Sequence, residues 1–380
     1  MAIIKQCYTG EPLFINVPQV TEKNGRLHLE DGVYTVYELL DEETQELKKV
    51  FTGKVYVDPE WITSAERSAK VDIMPVIRNS VNPGLDTISD FFESQKPYFE
   101  DTKTDKIFNH IFVVAFGEAN SNGNILSDIT TNNYMYYVHY NYTGRTRSDD
   151  TKYFDQPEYI NTRYNDYLYY GDKVSIDYFV PAEHLYTTTQ PEVVVWTYPN
   201  GEQEPVSYNV SKTNYRLKIA INQYKVMNGK RMYPTHVRIR GKQYPILYCR
   251  PQDSVTLWFI ANNGALDFIY CDLVCQRTVN ADRTQMTKYA TIANRTQFGK
   301  FNYSTEIYES YELNTQIMSD ELSKKMKNIF TSNYVWLQDS EGIMHSVVLT
   351  EKSLTIKKRQ THKIFNYTIH CEDSQTINLI

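Results

Sequence analysis

The chain has 380 residues, 41% of them hydrophobic and 23% charged, with a net charge of −6. That length exceeds one ordinary hydrophobic core and implies two or three domains, and the balance excludes a disordered chain. No apolar run approaches the roughly 18 to 20 residues of a membrane helix, and the start MAIIKQCYTGEPLF lacks a signal-peptide core, so the expected protein is soluble and made in the cytosol.

In chain order, strand signals dominate. Alternating or β-branched runs lie at Gly32 to Leu40, Ile111 to Phe116, Glu192 to Tyr198 and Tyr215 to Ile221. Asn24-Gly25, Asp31-Gly32, Asn122-Gly123, Asn200-Gly201, Asn228-Gly229 and Asn263-Gly264 supply residues that accept positive φ in hairpin turns. A weak helix is expected over Pro83 to Ser94, with Leu85, Ile88, Phe91 and Phe92 on one face.

From Asn133 to Tyr186 tyrosine recurs at about every fourth position, and the chain has 32 Tyr against 16 Phe. Tyrosine pairs an apolar ring with a hydroxyl that needs a partner, so the excess marks surfaces that pack against something. Three readings stand side by side: a crowded sheet core with wet edges, a contact surface between subunits, and a platform for sugar rings. The candidate contacts are Tyr134, Tyr136, Tyr137, Tyr140, Tyr142, Tyr164, Tyr167, Tyr169 and Tyr170. A domain boundary is expected at Thr188 to Pro191, dividing the chain into an acidic, tyrosine-rich β domain over 1–190 and a β-sandwich domain over 191–380. The first half carries 17 Lys+Arg against 29 Asp+Glu, a net of −12; the second carries 23 against 17, a net of +6. Such halves attract across copies, or they are two domains with different solvated faces.

Further along, Arg238 and Arg240 fall on one face of a strand, first a solvated face and second a contact for an acidic neighbour. Ser254 to Ala261 and Ala265 to Cys275 read as a hairpin, followed by a connecting stretch and strands at FGKFNYSTEIYESYEL, YVWLQ, IMHSVVLTE, SLTIKKR and KIFNYTIHCE. One convincing helix lies near 319–332, where Ser319 caps, Leu322, Met326, Ile329 and Phe330 form the stripe, and Asn333 is a left-handed stop. The fold class is therefore mainly β, with two or more antiparallel β-sandwich-like domains and one short C-terminal helix.

Chemical motifs are sparse. Neither GxGxxG nor a phosphate-binding GxxxxGK sequence occurs, and GxSxG and HExxH are absent. The five cysteines are odd in number and dispersed, which fits free thiols. Cys271 and Cys275 in one strand would stand about 13 Å apart and hold no zinc. Asp58 and Glu60 beside Trp61, or Glu306 and Glu309 among tyrosines, are the acid pairs a glycosidase would use, but strand alternation puts the last two on opposite faces. No catalytic residue, cofactor or metal is expected, and basic residues do not gather into a footprint for sequence-specific nucleic acid.

The succession ESYELNTQIMSDELSKKMKNIFTSNYVWLQDSEGIMHSVVLTEKSLTIKKRQTHKIFNYTIHCED resembles the C-terminal part of virion structural proteins from tailed bacteriophages of Bacteroidales, the crAss-like phages in particular. The resemblance covers about Pro251 to Glu372 and includes a faint echo at AKVDIMPVIRNSV. At the helix entry this chain has Gln316-Ile317-Met318-Ser319, where relatives often carry a Gly-Trp pair. The resemblance implies a neck-ring or tail subunit located in the virion. It also implies a ring of copies with six- or twelve-fold symmetry, beside other neck and tail proteins. A receptor- or carbohydrate-binding module of a phage tail is the alternative.

Overall fold

The computed structural model describes residues 5–10, 12–18, 20–23, 26–29, 32–41, 46–55, 68–81, 92, 109–116, 134–139, 158–178, 192–208, 216–252, 254–273, 275–288, 299–320, 322–355, 365–374 and 377–379. The protein is mainly β, built from several antiparallel sheets with two short α-helices among the described residues.

The first group of strands is β1 (Lys5–Tyr8), β2 (Phe14–Pro18), β3 (Val20–Lys23), β4 (Arg26–Leu29), β5 (Gly32–Asp41), β6 (Glu46–Val55), β7 (Ser68–Asp72), β8 (Asn109–Phe116) and β9 (Tyr134–His139). A five-stranded sheet runs β1-β9-β8-β5-β6, with β1 parallel to β9 and the rest antiparallel. Its two faces follow the two-residue period of a strand: Tyr34, Val36, Phe112, Val114 and Val138 join the main core, while Tyr37, Leu39, Ile111 and Val113 form a second cluster. Gly53 lies opposite Tyr34, and a Cβ there would come within 2.4 Å of the Tyr34 ring, so only glycine lets that ring lie flat across β6. The β2–β7 ribbon leads into α1 (Met74–Ile77), whose first turn is fixed by Asp72 accepting from the Leu13 and Met74 amides at 2.9 and 3.0 Å.

The middle group is β10 (Glu158–Ile160), β11 (Leu168–Tyr169), β12 (Lys173–Tyr178), β13 (Glu192–Thr197), β14 (Gln203–Tyr208), β15 (Arg216–Ala220), β16 (Lys225–Met227), β17 (Lys230–Met232), β18 (His236–Ile239) and β19 (Lys242–Leu247). These make a three-stranded sheet β10-β12-β15, a five-stranded sheet β11-β19-β18-β13-β14 and the two-stranded ribbon β16-β17. The expected boundary at 188–191 lies outside the described residues; on its near side, β12 pairs with β15 and β11 runs parallel to β19.

The last group is β20 (Val255–Ile260), β21 (Leu266–Cys271), β22 (Gln276–Lys288), β23 (Gly299–Asn314), α2 (Lys324–Phe330), β24 (Val335–Gln338), β25 (Met344–Leu349), β26 (Thr368–Asp373) and β27 (Ile377–Leu379). The sheet order is β21-β20-β24-β25-β26-β23-β22, with β27 also on β23. Along β21 every residue is buried, so this hairpin is covered on both faces. One continuous apolar core reaches from Cys7 through Trp196 to Cys371 and so includes all three groups.

Glycine places the turns. Gly201, Gly264 and Gly342 close three hairpins the same way, with φ of 80, 86 and 86° and an amide donated three residues back, to Tyr198, Ala261 and Asp339. Asn228-Gly229 (φ 50 and 71°) is a two-residue primed turn, as its sequence suggests. Arg240-Gly241 (49 and 78°) is a second such turn, so Arg240 stands in a bend and does not share a strand face with Arg238.

Four other expectations are corrected. The helix is shorter than 319–332: Ser319 accepts from the Leu322 amide at 3.1 Å, but the α-helical residues are Lys324–Phe330. It stops where the Thr331 hydroxyl turns back to the Lys327 carbonyl at 2.8 Å, and Asn333 does not have positive φ. Residues 276–288 form a strand where a connection was expected, and 353–355 of SLTIKKR are not strand. Because β21 ends at Cys271, the Cys275 thiol folds back to 3.6 Å from the Cys271 carbonyl instead of lying far along a strand. Of the weaker helix only Phe92 is described.

Candidate interaction surface

The tyrosines of the middle segment divide into an inner and an outer set. Inside, the turn at 161–167 sets Tyr167 and Tyr169 against β21. The Tyr169 hydroxyl donates to Asp272 at 2.8 Å, and the Tyr167 hydroxyl lies 3.0 Å from the same oxygen and 2.5 Å from Gln316 Oε1. Both rings pack on Tyr270, at 5.7 and 5.1 Å between centroids. The Tyr270 hydroxyl donates to Asp172, whose carboxylate also takes the Tyr169 amide at 2.6 Å and the Arg250 guanidinium. Arg250 in turn lies over the Tyr169 ring at 4.9 Å and donates to Thr256 at 2.9 Å. Burial, with the Asp272 carboxylate next to them, pushes the Tyr167 and Tyr169 hydroxyls above the usual phenol range.

A second network lies beside the first. Lys325 of α2 is buried, and its ammonium donates to the Asn161 and Phe268 carbonyls, Asn165 Oδ1 and Asp267 at 2.5, 3.1, 3.1 and 2.8 Å. Tyr159 donates to the other Asp267 oxygen at 2.5 Å. Asp177 accepts from Ser175 and from the Leu266 amide, at 2.7 and 2.8 Å. A charge held this way keeps its partners only in one arrangement, which fixes segment 158–178 on the C-terminal sheet.

The outer set is an aromatic cluster on the ribbon β16–β17 and the ends of β11 and β19. Tyr170 meets Tyr233 edge-on at 5.4 Å and Tyr248 at 5.4 Å; Tyr233 also touches Tyr224 at 6.1 Å and Tyr248 at 5.8 Å. Val226 and Arg231 are paired across the ribbon, so they share the face of Tyr224 and Tyr233. The Arg231 guanidinium sits 4.7 Å from the Tyr224 ring centre, and the neighbouring Tyr233 and Tyr224 favour its charged form. Tyr224, Tyr248 and Val226 are 44, 47 and 63% exposed, although the Tyr170 and Tyr248 hydroxyls bond the Asn222 and Pro234 carbonyls. Burial of its hydroxyl end holds Tyr248 up at about 12. On the opposite ribbon face Lys225 lies over the Tyr198 ring at 4.2 Å and pairs with Glu202.

A third surface is the hairpin β22–β23. Among the described residues β22 is bonded along one side only, and from Ser304 back to Gly299 the hairpin is two strands alone. At about 3.4 Å per residue its 13 residues reach roughly 44 Å. Val279, Met286 and Tyr303 are 62, 50 and 59% exposed, and Tyr303 is the extra residue of a bulge opposite Thr284/Gln285.

Of the tyrosines named from sequence, Tyr136 and Tyr169 are buried inside the chain and so do not form an outer contact. Tyr134 and Tyr137 lie in β9, opposite Val114 and Ile111; Tyr140 and Tyr142 fall outside the described residues. Tyr164 is half-buried with Arg163 at 5.7 Å from its ring, and Tyr170 belongs to the outer cluster. Arg238 is exposed on β18, while Arg240 pairs with Glu192 at 2.7 Å. Tyr224, Tyr233, Tyr248 and Arg231 were not singled out in the sequence. The available signal was a basic, aromatic ribbon around Asn228-Gly229, with Tyr248 just past the end of β19. Among the described residues no group of three or more His, Cys, Asp or Glu side chains gathers as metal ligands, and no helix is long and apolar enough to cross a membrane. Comparisons with protein-family models, curated proteins and solved structures find no match.

Proposed function

We propose that this protein is a structural subunit that assembles with copies of itself, as a ring joining capsid and tail in a tailed bacteriophage. The observation that carries the reading is the β22–β23 hairpin. A two-stranded ribbon is marginal in water, yet this one holds Met286 and Tyr303 to the outside, and Val279 is exposed further along the edge strand β22. Such an arm gains stability when a neighbour covers it. The opposed charges of the two halves supply steering between copies, and the C-terminal sequence resemblance supplies the neck or tail. Solution mass of the purified protein tests assembly, and proteomics of purified particles tests location. A strict monomer that is missing from virions would sink the proposal.

A second reading, a receptor- or carbohydrate-binding module, rests on the outer tyrosine cluster, because exposed rings also stack on sugars. Glycan-array binding that disappears in Tyr224→Ala or Tyr248→Ala would favour it over assembly.

A further inference from the structure

We infer that the outer cluster of Tyr170, Tyr224, Tyr233 and Tyr248 with Arg231 receives a carboxylate-bearing segment from the acidic half of a second copy of this chain. The inference rests on the assembly reading and gives it a contact surface. Three observations support it.

The Arg231 guanidinium sits 4.7 Å from the Tyr224 ring centre, and among the described residues no carboxylate pairs with it or with Lys230. Three other cations of this half have one: Lys225 meets Glu202, Arg240 meets Glu192 and Arg250 meets Asp172. A guanidinium stacked on a ring keeps its N–H edge open, and that edge fits a carboxylate with two parallel hydrogen bonds. Second, Tyr, Arg and exposed aliphatic side chains on one face are the composition of an interface centre, where rings exclude water around a polar anchor. Third, the chain carries the complement: residues 1–190 have a net of −12 and residues 191–380 a net of +6. A neutral glycan would stack on the rings but leave the guanidinium without an anion.

The test mixes isotopically light and heavy full-length protein, joins amines to carboxylates with a zero-length carbodiimide, and reads the linked peptides by mass spectrometry. Lys230 joined in mixed-isotope pairs to Asp or Glu of residues 1–190 is the expected result. Arg231→Glu, at an exposed position, should weaken association by about tenfold or more while its thermal melt matches the parent. Same-isotope links alone, or Arg231→Glu assembling like the parent, would overturn the contact. If the parent still assembles in that case, the assembly reading survives without this surface; a parent that stays monomeric overturns both. Glycan binding lost in Tyr224→Ala, with assembly untouched, would assign the cluster to sugar instead.

Discussion

Tyr159, Tyr167 and Tyr169 point inward, and each hydroxyl meets a carboxylate on or just after β21 that is more than a hundred positions away in sequence. Tyr170, Tyr224, Tyr233 and Tyr248 point outward, and the hydroxyl bonds of Tyr170 and Tyr248 go to carbonyls of their own group of strands. One residue type thus serves two purposes within the middle strands. What separates them is whether an acidic side chain lies across the interface: Asp172, Asp267 and Asp272 convert the inner rings into a joint, and among the described residues no carboxylate pairs with Arg231 beside the outer rings.

Substitutions should separate the two sets by size of effect. Lys325→Met leaves Asp267 buried without its cation, and stability measured by urea unfolding should fall by about 3–5 kcal/mol. Tyr169→Phe removes one of the donors to Asp272 and should cost about 1–3 kcal/mol in the same assay. Tyr224→Ala should change stability by no more than about 0.5 kcal/mol, because the residue is 44% exposed and has no place in the buried network, while it weakens association. Equal destabilisation by Tyr224→Ala and Tyr169→Phe would erase the distinction between inside and outside.

A smaller effect concerns pH. Burial, helped by Lys173, lowers the Lys218 ammonium to about 8. Above that pH the folded chain has released a proton that the unfolded chain holds until about 10.4, so stability should rise with pH between about 8 and 10. The slope has a ceiling of about 1.4 kcal/mol per pH unit. Beyond about 10 the inner tyrosines, whose folded values are raised, reverse the trend, because the unfolded phenols ionise first. Lys218→Met should flatten the rise, and a rise that persists in this variant would assign it to another group.

Much of the backbone was legible because it is local. Period-two alternation in Gly32–Asp41 sorts its side chains to the two faces, and Asn228-Gly229 turns as a primed pair because both residues tolerate positive φ. Arg240-Gly241 was hidden because arginine is not a turn former; the short span between β18 and β19 imposes φ of 49° on it. The joint was illegible for a different reason. Lys325 sits among the charged residues of a short helix, and only tertiary contact with Asp267, Asn161 and Asn165 shows that it is buried. The outer cluster shares that difficulty, since Tyr170, Tyr233 and Tyr248 come from three separate elements, and density of tyrosine in sequence pointed to Tyr136 and Tyr169 instead.

If the exposed hairpin and the outer tyrosine cluster hold neighbouring copies, both should govern the mass of the protein in solution. Light-scattering mass of the purified protein across concentration, repeated with Val279→Asp in the hairpin and Arg231→Glu in the cluster, tests it most directly. The expected result is a closed multiple of the 44.6 kDa chain that dissociates in one or both variants. A monomer at every concentration, or a multimer indifferent to both substitutions, would contradict it.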